Sequence, residues 1–218
     1  TNPFTYNYSI NSSVLQTNST YKYLRVHFSK DLSWSIHINS IISTASKSLG
    51  YLQCTLKFAS PHLKLLAYTA LIRPKLEYAA AIWDPYQNYL IENLEAIQNR
   101  AVRFVYSDYS SFTSVTQLKK RAALPLLNHR RRIARLSLFH RYYHTLSPNP
   151  YITLRSHFSS RTGNTQQVSY PRPNTDRFAN SFFIKTARDW NDLPENIVQL
   201  RDLDKFKEAL IELDQSVS

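Results

Sequence analysis

The stretch of this sequence richest in side chains that could do chemistry is "NHRRRIARLSLFHRYYH", Asn128–His144, with five arginines and three histidines in seventeen positions. Arginine presents a rigid fork of N–H donors that matches the oxygens of a phosphate group. Two histidines four residues apart on one helix can ligate a metal ion. The stretch therefore raises two chemistries, phosphate binding and metal binding, beside the alternative of a helix face that merely meets water.

The metal-binding alternative depends on His140 and His144, which are four residues apart. A zinc site needs three or four protein ligands, and no Cys, Asp or Glu occurs between Tyr109 and Thr175 to complete the set. His140 also falls on the apolar side of the helix, where a core histidine is expected. We therefore predict neither a metal ion nor another cofactor in this chain.

The phosphate-binding alternative follows from the helical arrangement of the same stretch. Its apolar residues share one face, and Arg132 falls within that face, where we expect it to bond to a neighbouring helix or to reach past the apolar surface into solvent. The other arginines spread over the opposite face with Tyr142 between them, and a ring in that position can stack on an unpaired base. The apolar face contains Ile133, Leu136, Phe139 and Tyr143, and the basic face contains Arg130, Arg131, Arg135 and Arg141.

The charge distribution favours a polyanionic partner. The chain of 218 residues has a formal net charge of +12, and residues 100–185 contain 15 of its 27 lysines and arginines but only two of its acids. This segment alone therefore sums to 15 − 2 = +13, and such an excess is typical of nucleic-acid binding because phosphates release counterions when cations replace them. The predicted nucleic-acid-binding residues are Arg100, Arg103, Lys119, Lys120, Arg121, Arg130, Arg131, Arg135, Arg141 and Tyr142.

The hydrophobic periodicity predicts a mainly α fold with a short N-terminal β-hairpin. Alternating residues from Phe4 to Phe28 predict strands, and "NSS" predicts a turn between them. Apolar stripes predict helices over Ile38–Leu56 and Leu90–Phe104, and a helix between them is expected to kink or end at Pro74. A short helix is predicted over Thr113–Ala123, and the region from Ile38 to about Tyr106 is expected to pack as a bundle.

Composition divides the chain into five segments, residues 1–34, 35–106, 107–146, 147–176 and 177–218. The segment 147–176 has four of the ten prolines, and we predict an extended linker there. In the last segment, "RDWNDLPENIV" contains Trp190, for which core packing is the first interpretation and base stacking the alternative. The single Cys54 excludes a disulfide and is expected to be a small core residue. No apolar run approaches the roughly 18 residues that span a bilayer, so no membrane partner is predicted.

Several blocks occur together in one order: "YKYLRVHFSKDLSWSIHI", "LIRPKLEYAAAIWDPY", "LEAIQNRAVRFV", "LPLLNHRRRIARLSLFHRYYH" and "ARDWNDLPENIV". They resemble the C-terminal part of the reverse transcriptase of non-LTR retrotransposons of the jockey-like or I-like kind found in arthropods. The resemblance covers about Tyr21 to Leu210. One position departs from the family, because Arg25 stands where the family usually has a glycine, and this departure is expected to alter the local strand geometry.

The resemblance implies that residues 1–34 end a palm, that residues 35–106 form a thumb and that the later helices extend it. It places the catalytic carboxylates and their Mg²⁺ ions in a palm upstream of this chain, beside an upstream endonuclease. The chain, which begins "TNPF" and contains no methionine, is then a fragment that binds RNA or DNA and is not an enzyme on its own. The parent element would act in the nucleus and cytoplasm. The alternative is a transposon-derived helical module that binds protein and has no nucleic-acid role.

Overall fold

The computed structural model describes residues 8–145, 152–155 and 164–217 and is mainly helical with short antiparallel strand pairs at its start, as predicted. A π-helical segment, Tyr68–Ile72, joins the second helix to the third. The helices are α1 (Ser35–Thr55), α2 (Pro61–Ala67), α3 (Arg73–Glu77), α4 (Ala80–Trp83), α5 (Asn88–Tyr106), α6 (Val115–Arg121), α7 (Leu127–Thr145), α8 (Asp176–Ala179), α9 (Phe182–Asn191), α10 (Glu195–Val198) and α11 (Leu203–Val217). The strand pairs are β1 (Ser9–Ile10) with β2 (Ser13–Val14), β3 (Thr20–Tyr23) with β4 (Val26–Ser29), and β5 (Thr153–Leu154) with β6 (Val168–Ser169).

The β3–β4 hairpin has a two-residue turn in which both residues are left-handed. Leu24 has φ 45° and Arg25 has φ 67°, between the paired residues Tyr23 and Val26. This is the backbone of a type I′ turn, which strongly prefers glycine or asparagine because a Cβ atom is crowded at positive φ. A glycine, which the family named above usually has at this position, would adopt this turn without strain. Arg25 keeps the strand register at a conformational cost.

The first hydrophobic core lies between α1, the α2–α3 arm and α5. The buried residues of α1 include Ile38, Ala45 and Leu49, and α5 buries the predicted stripe from Leu90 to Phe104. Both predicted helices are therefore confirmed. The prediction for Cys54 is wrong, since its side chain is exposed. It follows Ala45 by nine residues, which at about 100° per residue puts it on the opposite side of the helix.

Pro74 changes the winding of the second predicted helix without ending it, since helical backbone continues from Pro61 to Glu77 through the π-helical segment. A proline has no N–H to donate to the carbonyl four residues earlier, and the preceding turn is wound as a π-helix in which the Arg73 N–H bonds to the Tyr68 carbonyl. The wider turn keeps the Tyr68 ring fully buried, where its hydroxyl donates to Gln98 Oε1 at 2.8 Å.

The second hydrophobic core lies between α7, α9, α10 and α11, around Trp190. Trp190 is fully buried and its indole Nε1 donates to the Gln166 carbonyl at 3.0 Å, so core packing is confirmed and base stacking is excluded for this ring. Asn164 is also fully buried, and its side-chain amide donates to the carbonyls of Trp190 and Leu193. No helix within the described ranges is long and apolar enough to cross a bilayer.

The segment 147–176, predicted as an extended linker, packs against the second core at Asn164 and Val168. Val168 packs into the second core, and its N–H donates to the Asn191 side chain at 2.8 Å. Proline and polar residues suggested an extended arm, but the amides of Asn164 and Asn191 satisfy backbone groups that a buried loop would otherwise leave without partners. Residues 146–151 and 156–163 lie outside the described residues.

Truncating the predicted core residues tests the first cluster. We expect Leu49→Ala and Ile97→Ala each to lower the free energy of unfolding by about 2–5 kcal/mol, because each removes buried apolar surface and leaves a cavity. Urea denaturation followed by circular dichroism measures both changes. Ser43→Ala, on the exposed side of α1, is the control and should stay within about 0.5 kcal/mol of the parent.

Replacing Arg25 by glycine tests the strained turn. We expect Arg25→Gly to raise the free energy of unfolding by about 0.5–1 kcal/mol, since relief of the left-handed strain exceeds the entropy lost with a more flexible residue. Lys22→Gly, on the exposed and extended strand β3, should do the opposite. Destabilisation by both glycines in the same denaturation experiment would contradict the strain at Arg25.

Candidate nucleic-acid interface

The two central arginines of the basic helix are not exposed. Arg131 and Arg135 lie on α7, and their exposed fractions are 1% and 2%. Arg131 Nε donates to Asp84 Oδ1 at 3.0 Å, and Arg135 Nε lies 3.3 Å from Asp84 Oδ2. The expectation that these two side chains are exposed is therefore wrong, because each is buried and pairs with the carboxylate of Asp84.

Asp84 is the centre of a larger buried network. Lys185 of α9 donates to Asp84 Oδ2 at 2.7 Å, and Arg135 also bonds to Asp189 Oδ2 at 2.6 Å. Burial lowers the pKa of Lys185, and the Asp84 carboxylate opposes that shift. Among the described residues, both terminal nitrogens of Arg131 are buried without a hydrogen-bond partner. The network thus holds more cationic donors than its carboxylates can accept.

The geometry of α7 explains the burial of these arginines. Arg131 and Arg135 are four residues apart and so share one side of the helix, which packs against α4 and α9. The adjoining side contributes Leu136 and Phe139 to the second core. Arg132 pairs with Asp214 of α11 at 2.8 Å, as expected of a bond to a neighbouring helix. Both sides of α7 are therefore packed against protein.

Three further predicted contacts are used within the protein. Lys119 pairs with Glu95 at 2.9 Å, and Arg130 forms a two-pronged ion pair with Glu77. Arg103 donates to backbone carbonyls of the loop that follows α5, including that of Ser110 at 2.8 Å. The remaining predicted residues are exposed on three different helices and are Arg100, Lys120, Arg121, Arg141 and Tyr142.

His140 and His144, near the C-terminal end of α7, lie beside Trp190 of the second core. His140 is buried as predicted, with its Nε2 2.6 Å from the Leu200 carbonyl oxygen, and its ring stacks on Phe206 with centroids 4.4 Å apart. Burial lowers the pKa of both His140 and His144. Within residues 8–145, 152–155 and 164–217, no three His, Cys, Asp or Glu side chains come together in a way that could hold a metal ion.

The structure reveals a basic surface that the charge count had overlooked. Residues 32–76, which contain α1, α2 and most of α3, include five lysines and arginines and not one Asp or Glu. Lys47 lies on the outer side of α1 and is exposed. A scan for stretches without acids would have found this segment, but the larger excess over residues 100–185 obscured it.

Neighbouring helices add two cations along the flanks of α1. Lys75 of α3 donates to Ser48 Oγ at 2.5 Å, and Arg100 of α5 donates to Ser46 Oγ at 2.8 Å. Ser46 and Ser48 stand about 100° to either side of Lys47 around the helix axis. The outer surface of α1 is thus bordered by one held cation on each side. We call the surface formed by Lys47, Lys75 and Arg100 the α1 face.

An exposed acidic residue lies near the α1 face. Hydrogen bonds join Ser35 to Tyr89 and Ser46 to Arg100, so α1 and α5 run in the same direction. Glu92 is exposed on α5, eight residues or about 12 Å before Arg100, beside the first turns of α1. The C-terminal half of α1 is therefore the more electropositive half and the part best suited to a phosphate backbone.

Comparison of the chain with models of known protein families, with curated proteins and with solved structures found no match. The candidate interface therefore stands on its geometry and charge, namely exposed cations held at the flanks of a helix that has no acid of its own.

Removing the charge of Asp84 tests the buried network. Asp84→Asn keeps the shape of the side chain and leaves three cations around it without their carboxylate, so we expect the free energy of unfolding to fall by about 3–5 kcal/mol. The control is Asp204→Asn, which breaks an exposed pair with Lys207 and should cost less than about 1 kcal/mol. Equal, small losses in urea denaturation would show that Asp84 is not the centre of the network.

Proposed function

We propose that this chain is the nucleic-acid-gripping C-terminal fragment of a non-LTR retrotransposon reverse transcriptase, an RNA-directed DNA polymerase. The order of motifs along the sequence supports the family, and the α1 face supports the binding. Its cations, Lys47, Lys75 and Arg100, surround a helix without acids. Such a surface attracts phosphates and gains free energy by releasing their counterions.

The α1 face replaces the basic face of α7 as the main contact with RNA or DNA. Lys120, Arg121 and Arg141 remain exposed and add positive potential at longer range. In this proposal the arginines of α7 act inside the protein, where they hold the helices in place. Contacts to phosphates have no base information, so binding by the α1 face is weakly selective for sequence.

The proposal assigns polymerisation to residues outside this chain. The catalytic carboxylates and the two Mg²⁺ ions belong to a palm upstream of Thr1, in line with the resemblance, and the chain alone extends no primer. The upstream palm and endonuclease are its partners within the parent polyprotein. The two N-terminal hairpins suit such a neighbour, because Ile10, Tyr21 and Tyr23 are all exposed and a cluster of exposed apolar side chains is typical of a protein interface.

The same exposed hairpins favour a second candidate function, a transposon-derived helical module that binds protein and has no nucleic-acid role. The two functions differ in their response to salt. Phosphate binding weakens steeply as the salt concentration rises, whereas docking of apolar surfaces does not.

Neutralising the α1 face tests the proposed function. We expect the triple variant with Lys47, Lys75 and Arg100 replaced by Gln to bind labelled RNA and DNA oligonucleotides more weakly than the parent. The slope of log affinity against log salt should flatten by about 2–3 units, at roughly 0.7–0.9 for each lost phosphate contact. Fluorescence anisotropy at several salt concentrations measures both quantities, and circular dichroism checks the fold.

The control replaces an equal number of exposed cations in the C-terminal part of the chain. Arg172, Arg201 and Lys205 are exposed, and their replacement by Gln removes the same net charge from another surface. A control slope close to that of the parent locates the contacts on the α1 face. Equal effects of both triple variants would point to net charge alone, and no salt-dependent binding by the parent would favour the protein-binding module.

A further inference from the structure

Two exposed aromatic rings lie near the C-terminal end of α1. Tyr51 follows Lys47 by four residues and so lies one turn further along the same side of α1, with 69% of its surface exposed. Phe58 lies just beyond the end of α1 and is 94% exposed. Exposed rings beside cations are typical of surfaces that bind nucleic acid.

The rings belong to a stretch of the sequence that contains cations and no acids. Lys57 Nζ is 5.4 Å from the centroid of the Phe58 ring, and Lys47 lies one turn before Tyr51. No acid occurs in the sequence between Asp31 and Glu77. An apolar protein surface would gain little binding free energy from the cations around these rings. A nucleic-acid strand with accessible bases gains binding free energy from both, because its phosphates contact the cations and its bases contact the rings.

The state of the bases decides which nucleic acid fits. In a duplex each base is stacked between its neighbours and presents only an edge in a groove. In a single strand the bases can turn outwards and stack on aromatic side chains, and this stacking tolerates every sequence because every base has a π-face. Protein surfaces that bind single strands combine a basic track with such rings. The α1 face, Tyr51 and Phe58 have both features.

We propose that the α1 face binds an unpaired strand of RNA or DNA, with Tyr51 and Phe58 stacking on its bases and Lys47, Lys57, Lys75 and Arg100 contacting its phosphates. This inference rests on the proposed function and names the form of nucleic acid that the site takes. The stacking adds affinity for single strands over duplexes of the same sequence. The guanidinium carbon of Arg121 lies 4.5 Å from the Tyr106 ring centroid. Because Arg121 already contacts this ring, it is not part of the proposed site.

The test measures how several forms of one oligonucleotide bind to the parent and to variants of the two rings. The probe is a fluorescein-labelled oligonucleotide of about 16 nucleotides, made as RNA and as DNA, and used single-stranded, as a duplex and as a strand with abasic residues. The double variant Tyr51→Leu, Phe58→Leu keeps apolar surface and removes the rings. We expect it to lose at least about tenfold in affinity for the single strand. Its affinity for the duplex, and its salt slope for both, should match the parent.

Further variants separate stacking from other effects. Tyr51→Phe with Phe58→Tyr exchanges the two rings and should restore binding to the single strand. Phe178→Leu removes an exposed ring in the C-terminal part of the chain and should change nothing. The abasic strand should bind the parent and the double Leu variant equally well, because it offers phosphates without bases. All these side chains are exposed, and thermal melting of each variant confirms its fold.

The outcomes distinguish this inference from the function on which it rests. Salt-dependent binding with no loss in the double Leu variant, an equal loss for duplex and single strand, or a preference of the parent for duplex would overturn the stacking and leave phosphate binding by the α1 face in place. An absence of salt-dependent binding to every form of the oligonucleotide would overturn both.

Discussion

The buried carboxylate of Asp84 is the interaction on which the arrangement of the helices depends. It follows α4 at the end of the first core, and it receives Arg131 and Arg135 from α7 and Lys185 from α9, which belong to the second core. A carboxylate inside a protein is tolerated only when charged donors replace the lost water. Those donors come from two other helices, so the positions of α4, α7 and α9 are fixed together, and the two cores with them.

Charge counted along the chain differs from charge in space. Counted along the chain, the excess of +13 over residues 100–185 favours a polyanionic partner. The acids that neutralise much of this charge lie outside that window. Glu77, Asp84, Glu95, Asp189 and Asp214 each accept a cation from within the window. The segment 32–76, whose five cations include Lys47 and Lys75, appeared less basic in the sequence because those cations are spread over 45 residues.

Periodicity predicted what depends on local sequence, and it was insufficient where distant residues decide. Ile38, Leu49 and Ile97 fall on stripes with the helical period, so their burial was foreseen from the sequence. Arg131 and Arg135 lie opposite an apolar stripe, and nothing local distinguishes a basic face in water from one that meets a carboxylate 47 residues earlier in the chain. Asn164 and Val168 were mistaken for linker because the groups that hold them, in the segment from Trp190 to Leu193, follow more than twenty residues later.

The ion pairs that tie α3 and α5 to their neighbouring helices also affect the proposed binding surface. Arg130 of α7 fixes Glu77 at the end of α3, two residues after Lys75. Glu95 of α5 accepts Lys119 and the Leu127 N–H at the start of α7, one turn before Arg100. The two helices that hold cations against α1 are thus each tied to α6 or α7 by a carboxylate. Preorganised cations lose less side-chain entropy on meeting a ligand. In the proposed function, the basic helix that first suggested nucleic-acid binding serves it indirectly, by holding α3 and α5 where Lys75 and Arg100 border α1.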